Sequence, residues 1–298
     1  MLEETPFNIM VVDEASMMPI PMLTCMGMVG RDRLIVAGDF RQLGPIAVSQ
    51  SRAAFDWLHK DAFDLAGISR NLNHAALGML TVQRRMHPDI CGLVNKHFYD
   101  GKLTSDPHPD KIAACSLDPL PGKPAVLVSF LPEDRSLVEQ TENGSRRNRR
   151  SAEIAAKLTA MYLKYDTTIQ IGLITPYRAQ VSLLKHLLKD MKLTSDQADR
   201  IKIGTVHAFQ GAEANVIIWD MVDTRNHPIG KLYRGDTGNR LTNVAISRAQ
   251  GKLVLIGDPE AFLNAPGYQA VERLRNILPN RFSRAQGNVI RVGDLGLD

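Results

Sequence analysis

The chain has 298 residues, 44% of them hydrophobic and 23% charged, which is typical of a folded globular protein rather than a disordered or fibrous one. The net charge of +4 permits a polyanionic partner but is too small to indicate one. The three cysteines form no Cys-x-x-Cys pair, so neither a disulfide framework nor a zinc ribbon is suggested. Apolar runs of the roughly 18 residues that a membrane helix needs are absent, as is a signal peptide. We therefore expect a cytoplasmic protein without a membrane partner, and a nuclear location also stays open.

Six short apolar runs are each followed by a polar or glycine-containing turn. Runs that are apolar on both faces are typical of buried parallel strands. The predicted strands cover Ile9–Val12, Leu34–Ala37, Ala125–Phe130, Ile171–Ile174, Val216–Trp219 and Leu253–Ile256. Segments of helical periodicity alternate with them, as at 152–164 and 179–189, which predicts an α/β fold with a parallel sheet. Because ligands bind beyond the carboxyl ends of such strands, the polar turns are the candidate site.

A domain boundary is predicted where the polar residues 69–74 separate two groups of strands. We predict a first domain over residues 1–76, a second over 77–280, and a tail over 281–298 for which the sequence indicates no role.

Two other segments differ in composition from the rest of the chain. Residues 102–124 contain five prolines and few apolar clusters, which predicts a surface excursion within the second domain. Residues 146–150 form the only dense basic run, and both a solvated loop and a phosphate-contact patch fit it.

Two carboxylates, Asp13 and Glu14, follow the first predicted strand. One could hold Mg²⁺ through water and the other could orient an attacking water, although a strand end that meets solvent often has the same pattern. The next strand ends in a tight loop that presents Asp39 and Gln42. A glutamine amide can donate to a phosphate oxygen and accept from water at once, which suits a sensor of a terminal phosphate. The two loops together indicate a phosphate site far more specifically than either loop alone.

The second group of strands carries three further candidates. Arg85 lies just before Pro88, which can open a helix, so Arg85 is either a cation near a helix N-terminus or a surface arginine beside a cap. Residues 204–213 are dense in short hydrogen-bonding groups, which fits a loop that couples a nucleotide to a nucleic-acid backbone.

The third candidate, Arg248, falls on the helical stripe of Leu241, Val244 and Ala245, which should face the core. Since a guanidinium is almost never buried without a partner, either a carboxylate or, at an interdomain cleft, a phosphate is expected beside it.

Taken in order and at their spacing, six motifs resemble those of superfamily 1 helicases. They are most similar to the branch that includes the RNA helicase of nonsense-mediated decay and the Okazaki-fragment nuclease-helicase. The motifs are Asp13-Glu14-Ala15-Ser16, Gly38-Asp39-x-x-Gln42-Leu43-x-Pro45, Gln83-x-Arg85-Met86-His87-Pro88, Ile174-Thr175-Pro176-Tyr177, Val206-His207-Ala208-Phe209-Gln210-Gly211-x-Glu213 and Asn243-Val244-Ala245-x-Ser247-Arg248-Ala249. The resemblance implies a RecA-like P-loop NTPase helicase core. It also implies ATP and Mg²⁺ as cofactors, and translocation along single-stranded DNA or RNA as the activity.

The resemblance also implies roles for individual residues. Asp13 is similar to the residue that holds the Mg²⁺ of ATP and Glu14 to the base that activates water, while Gln42 resembles the contact to the terminal phosphate and Asp39 lies in the same nucleotide motif. The residues that resemble the catalytic arginines of the second RecA-like domain are Arg85 and Arg248. The motif that contacts the nucleotide supplies Gln210, Gly211 and Glu213. Positions that contact the single strand are Thr175, Pro176, Tyr177, Thr205 and His207.

The family's glycine-rich phosphate loop, which ends in Gly-Lys-Ser or Gly-Lys-Thr, does not occur in these 298 residues. The resemblance therefore implies the C-terminal portion of a helicase, with a partial first RecA-like domain and a complete second one. We expect the isolated chain to be inactive, and a separate chain or an upstream segment to supply the loop. The strand Leu34–Ala37 should present an unpaired apolar edge. A non-catalytic nucleic-acid-binding module and a truncated remnant are the alternatives.

Overall fold

A computed structural model describes residues 7–49, 51–71, 73–130, 138–265, 272–283 and 286–296. The chain divides into two compact units between Leu80 and Thr81. The predicted boundary after residue 76 falls slightly earlier, because Leu77 still packs on the core of the first unit. Within the described ranges, no helix combines the length and the apolar character that crossing a bilayer requires.

The first unit contains a two-stranded parallel sheet and three short helices. Its strands are β1 (Phe7–Val12) and β2 (Gly30–Val36), and its helices are α1 (Ile20–Gly27), α2 (Arg52–Trp57) and α3 (Ala62–Leu65). Local sequence explains where the helices begin. A proline opens α1, the Ser51 hydroxyl accepts from the amide of Ala54 at the start of α2, and the Asp61 carboxylate accepts from Asp64 N at the start of α3.

Among the described residues of this unit, one face of the small sheet is covered and the other is exposed. Val12 packs with Phe40, Phe63 and Ile68 in a small core. On the opposite face Phe7, Ile9, Val11 and Ile35 are 61%, 53%, 60% and 48% exposed. The prediction that both strands are buried is therefore wrong for this unit, because burial of both faces needs a layer on each side.

The predicted open edge is present in the first unit. Within the described residues β2 pairs with β1 alone, and Leu34 and Ile35 on β2 are 41% and 48% exposed. An apolar strand with an unpaired flank is a surface on which another chain can add a strand.

The second unit is built on a six-stranded sheet with two short strand pairs beside it. Its strands are β3 (Val82–Gln83), β4 (Thr104–Ser105), β5 (Ala125–Ser129), β6 (Val138–Gln140), β7 (Arg146–Asn148), β8 (Ile171–Thr175), β9 (Ile201–Thr205), β10 (Ala214–Asp220), β11 (Ala249–Gly257) and β12 (Val289–Arg291). The large sheet has the order β12-β5-β11-β10-β8-β9, and every pair in it is parallel. The predicted α/β class with a parallel sheet is confirmed.

Eight helices are described in the second unit. They are α4 (Pro88–Phe98), α5 (Pro109–Ile112), α6 (Arg149–Tyr165), α7 (Arg178–Asp190), α8 (Ser195–Asp199), α9 (Gly235–Ser247), α10 (Pro259–Leu263) and α11 (Glu272–Arg281). The predicted helices at 152–164 and 179–189 lie inside α6 and α7. Apolar side chains of both helices, among them Ile154, Leu158 and Leu184, share a core with β8, β10 and β11. The helix α9 also packs against β10 and β11.

Part of the predicted tail belongs to the sheet of the second unit. The strand β12 pairs with β5, and Val292 is 1% exposed within the main core. A three-residue strand is too short to give a periodic signal, which is why the sequence indicated no role for it. Residues 284–285 and 297–298 of the tail lie outside the described residues.

The proline-rich excursion at 102–124 is fixed to β11 rather than loosely attached. A Cβ at Gly251 would lie 2.8 Å from Ile112 O, so the glycine allows α5 to approach the strand closely. The buried Lys252 ammonium donates to Leu117 O at 2.8 Å and to Leu120 O at 2.7 Å. Two neighbouring residues of β11 therefore hold the middle of the excursion, from Ile112 to Leu120.

Lys252 should make stability depend on pH. Burial lowers the pKa of Lys252 from its ordinary 10.5 to about 8, although Cys115 and Asp118 act to raise it. Between these two pH values the unfolded chain binds more protons at this site, so the free energy of unfolding should rise with pH. In Lys252→Met this part of the rise should be missing. Urea denaturation at pH 8, 9 and 10 gives the free energy of unfolding of the unsubstituted protein and of Lys252→Met. If the two free energies change with pH in the same way, Lys252 is not the group responsible.

Candidate nucleotide and nucleic-acid sites

The two acidic loops of the first unit lie side by side. Because β1 and β2 are parallel, their carboxyl ends meet at one edge of the sheet. Ala15 N donates to Ala37 O at 2.9 Å across this edge. A Cβ at Gly38 would lie 3.0 Å from the amides of both Ala15 and Ser16, so the glycine lets the two loops approach. The structure thus brings together the loop of Asp13 and the loop of Asp39.

Hydrogen bonds fix the side chains in these loops. Asp13 Oδ1 accepts from Glu14 N at 2.8 Å, and Glu14 has the left-handed φ of 51°, which is uncommon for a residue with a side chain. Asp39 Oδ2 accepts from Gln42 Nε2 at 2.8 Å, while its Oδ1 accepts from Arg41 N at 2.9 Å. Asp39 therefore orients the Gln42 amide.

The carboxylates of Asp13 and Glu14 are exposed and are the hard oxygen ligands that Mg²⁺ prefers. Within the described residues, no group of three or more His, Cys, Asp and Glu side chains is arranged to hold a metal ion. A Mg²⁺ ion at Asp13 would therefore take most of its ligands from a nucleotide and from water. The residues fit this weaker mode of binding.

Segments far apart in the second unit converge at the amino ends of β10 and β11. Arg85 Nε donates to Glu213 Oε2 at 2.5 Å, and these residues are 128 positions apart in the chain. Arg85 Nη1 also donates to Ser247 O at 3.2 Å. Gln250 Nε2 and Lys111 Nζ lie 2.7 and 3.4 Å from Glu213 Oε1. Arg85, Lys111, Glu213, Arg248 and Gln250 form what we call the arginine cluster.

Arg248 ends α9 and is 2% exposed, as its helical stripe predicts. Its guanidinium donates to Val244 O at 3.3 Å, to Ala212 O at 3.4 Å and to Ser247 Oγ at 3.0 Å. The sequence predicted a carboxylate or a phosphate as the partner of Arg248. The structure shows that Arg248 also has three neutral oxygen partners, which the position of a residue on a helical stripe cannot predict.

The arginine cluster is electropositive. Burial acts to raise the pKa of Glu213, but the hydrogen bond and charge of Arg85, the hydrogen bond of Gln250 and the charge of Lys111 outweigh it, so the pKa is lowered. Glu213 is therefore ionised at neutral pH. Three cations and one carboxylate give a formal charge of +2 (3 − 1 = 2). Such a site can donate charge-assisted hydrogen bonds to a polyphosphate.

The arginine cluster lies at the edge of the sheet opposite to the one that the sequence indicated. The predicted polar turns follow the carboxyl ends of strands, whereas Glu213 and Arg248 directly precede β10 and β11. The acidic loops of the first unit lie at the carboxyl ends of their strands, as expected, whereas the arginine cluster of the second unit lies at amino ends.

A short segment, residues 206–213, links the two edges of the large sheet. It starts at the carboxyl end of β9 and returns to the amino end of β10. Phe209 is 1% exposed, and Cβ atoms at Gly172 and Gly204 would lie 2.8 and 3.2 Å from its ring. The two glycines thus make room for Phe209 on the sheet. Gly211 has a φ of 75°, which favours glycine, at the turn towards Glu213.

The five predicted strand-contact residues fall into two groups. Thr175 pairs with Thr205 at the ends of β8 and β9, but the side chains of Thr175, Pro176 and Tyr177 are buried. Thr205 and His207 are partly exposed. Burial and the charge of Arg178 lower the pKa of His207, so this side chain is neutral at pH 7. Of the five predicted residues, Thr205 and His207 are the ones whose side chains are accessible to a strand at this edge.

Tyr177 is held inside the unit by a residue that the sequence did not single out. Asp223 Oδ2 accepts from Tyr177 OH at 2.9 Å and from Gly230 N at 2.8 Å, while its Oδ1 accepts from Arg146 Nη1 at 2.9 Å. A Cβ at Gly230 would lie 2.0 Å from the Tyr177 hydroxyl oxygen.

The basic run at 146–150 is largely neutralised by ion pairs. Besides the Arg146–Asp223 pair, Arg147 pairs with Glu139 at 2.7 Å and Arg149 with Glu153 at 2.9 Å. The run is not a loop, because residues 146–148 form β7 and residues 149–150 begin α6. The ion pairs argue against a dedicated phosphate-contact patch.

Residues 64–260 match the family described as "AAA domain" (AAA_12), and the chain belongs to this family. The matches place it among the superfamily 1 helicases, in relation to the branch of the nonsense-mediated-decay helicase and the replication helicase/nuclease. The predicted resemblance is therefore confirmed.

The chain spans between 19% and 36% of the length of the three relatives that follow. It is 28% identical to the human "DNA replication ATP-dependent helicase/nuclease DNA2" over 305 residues, covering 91% of this chain and 26% of that protein. It is 28% identical to "Regulator of nonsense transcripts 1" of Dictyostelium discoideum, covering 89% of this chain and 19% of that protein. An uncharacterized ATP-dependent helicase of Methanocaldococcus jannaschii is 31% identical, with coverages of 85% and 36%.

Solved structures of helicases also match at low similarity. An arterivirus nonstructural protein 10 (helicase) in complex with DNA is 16% identical, with a TM-score of 0.40, and the match covers 89% of this chain and 41% of that one.

Proposed function

We propose that this chain forms part of an ATP-dependent helicase that couples ATP hydrolysis to movement along single-stranded nucleic acid. The observation that carries the proposal is the convergence of Arg85, Glu213 and Arg248, from distant segments, in one electropositive cluster. Charge on a transferring phosphoryl group is stabilised by arginines of this kind. We assign that role to Arg85 and Arg248.

The first unit supplies the remaining groups of the reaction in this proposal. Asp13 holds the Mg²⁺ of the nucleotide, and that ion neutralises charge on the phosphates. Glu14 orients the attacking water, and Gln42, positioned by Asp39, senses the terminal phosphate. Gln210, Gly211 and Glu213 contact the nucleotide from the second unit.

A phosphate loop completes the nucleotide site in this proposal. These 298 residues contain no Gly-x-x-x-x-Gly-Lys-Ser/Thr sequence, so a separate polypeptide or an upstream segment supplies the loop. The uncovered apolar face of β1 and the open edge of β2 support this proposal, since both need a partner to be buried.

Binding of single strands tests the nucleic-acid part of the proposal. Labelled oligo-dT and oligo-rU should bind the chain without ATP, with an affinity that falls as salt rises. The double variant Thr205→Ala/His207→Ala should weaken binding several-fold, because it removes two accessible polar side chains at this edge. His186→Ala, an exposed histidine on α7, is the matched control. Fluorescence anisotropy measures the effect, and equal affinities of the double variant and the control would contradict the assignment.

A further inference from the structure

Two members of the arginine cluster, Lys111 and Gln250, lie outside the six motifs, and Lys111 is the charged one. It lies in α5, and its ammonium is 3.4 Å from Glu213 Oε1, the oxygen that also accepts from Gln250. The other oxygen of Glu213 accepts from Arg85. One carboxylate is thus shared by two cations, one on each oxygen.

The position of Lys111 is determined by the fold. It belongs to the excursion at 102–124, which Gly251 and Lys252 hold against β11 through contacts at Ile112, Leu117 and Leu120, shortly after Lys111 in the chain. The contact at Ile112 is one residue from Lys111, so the chain near the ammonium is held against the strand. Gln250, the third contact of Glu213, lies directly before Gly251 in the same strand.

Charge balance explains what a second cation on Glu213 can do. Arg85 is 32% exposed, and within the described residues its Nη2 makes no hydrogen bond, so one side of the guanidinium is available to a phosphate. If Arg85 moves to a phosphate, Glu213 loses its closest cation. A half-buried carboxylate without a cation is costly, and that cost would oppose the movement of Arg85. Lys111 and Gln250 keep their contacts with Glu213 Oε1 and so reduce the cost of leaving the carboxylate without Arg85.

We propose that Lys111 is a positioning residue of the nucleotide site: it holds Glu213 when Arg85 engages a phosphate, and thereby strengthens the binding of polyphosphates. This inference rests on the proposed function of Arg85. Lys111 does not contact the phosphate in this proposal and acts only through Glu213.

Calorimetric titration of the full chain with tripolyphosphate and with ATP tests the proposal. Lys111→Met should weaken binding about two- to fivefold, the range expected for one partly exposed ion pair. Lys111→Arg should restore the affinity, because it keeps the charge. In a Glu213→Gln background Lys111→Met should have no further effect, since the residue through which it acts is already neutral.

The matched control is Lys123→Met, which removes the same charge from the same excursion but from an ammonium that donates to Gln286 O. It should leave the affinity unchanged. If Lys111→Met still weakens binding in the Glu213→Gln background, Lys111 attracts the phosphate directly and the positioning role is wrong. Equal affinities of Lys111→Met and Lys123→Met would also overturn it.

One further variant separates this inference from the proposed function. If Arg85→Ala strongly weakens binding while Lys111→Met leaves it unchanged, Arg85 binds phosphate and only the inference about Lys111 fails. If Arg85→Ala does not change the affinity, or the unsubstituted chain binds neither ligand, the phosphate role of Arg85 fails, and the inference fails with it.

Discussion

Replacing Arg248 by alanine should abolish ATP turnover in an assembly of this chain with a polypeptide that supplies the phosphate loop. An arginine that stabilises transition-state charge contributes roughly 10³ to 10⁵ in rate. Binding of ATP should fall much less, because the charge that Arg248 offsets develops mainly during the reaction. Steady-state hydrolysis with and without oligo-dT gives both kcat and KM, and the loss should be in kcat.

Because Arg248 is buried, its replacement can also destabilise the fold, and this effect has to be separated from the loss of activity. The alanine variant leaves Val244 O, Ala212 O and Ser247 Oγ without their donor, so its unfolding free energy should be measured in parallel. Arg248→Lys keeps the charge but not the fork of donors, and it should remain folded with low turnover. Arg225→Ala is the matched control, since Arg225 is ion-paired with Asp258 beyond the carboxyl end of β11.

Three outcomes distinguish the possible functions. Turnover of the Arg248→Ala assembly close to that of the unsubstituted one would show that the arginine has no catalytic role. If the unsubstituted assembly is folded and binds oligonucleotides but hydrolyses no ATP, the chain is a non-catalytic binding module. Loss of turnover in Arg248→Ala but not in Arg225→Ala is the result that the helicase proposal requires.

The sequence predicted the elements of the second unit well because its strands are buried on both faces. Continuous apolar runs such as Ile171–Ile174 and Val216–Trp219 are a strong local signal, and all four predicted strands of this unit are present. The same signal overestimated burial of β1, because Ile9 and Val11 have apolar side chains whether or not a second layer covers them. Burial depends on how many layers pack on a sheet, which a single strand cannot encode.

The sequence predicted candidate site residues but not their geometry. The motifs named Arg85 and Glu213 as candidates, but a pairing across 128 positions has no local signature. Lys111 and Asp223 were missed for the same reason: each is an ordinary charged residue in sequence, and its partner is distant. Gly172 and Gly204 did offer a usable signal, since glycine inside a buried strand often marks a close approach of another segment.

Removal of Asp223 should cause the larger of the stability losses predicted for this chain. Asp223 is fully buried and accepts hydrogen bonds from Arg146, Tyr177 and Gly230. Breaking a buried ion pair by removing one partner costs about 3 to 5 kcal/mol, because the remaining charge stays buried without compensation. Asp223→Ala should therefore lower the free energy of unfolding by about that amount in urea denaturation.

Two comparisons show whether burial is the cause of this loss. Asp236→Ala removes the partner of Arg240, but Asp236 is 74% exposed, so it should cost less than about 1 kcal/mol. Arg146→Met in the Asp223→Ala background should recover part of the loss, since it removes the buried charge that the first change leaves behind. Equal losses in Asp223→Ala and Asp236→Ala would contradict the argument.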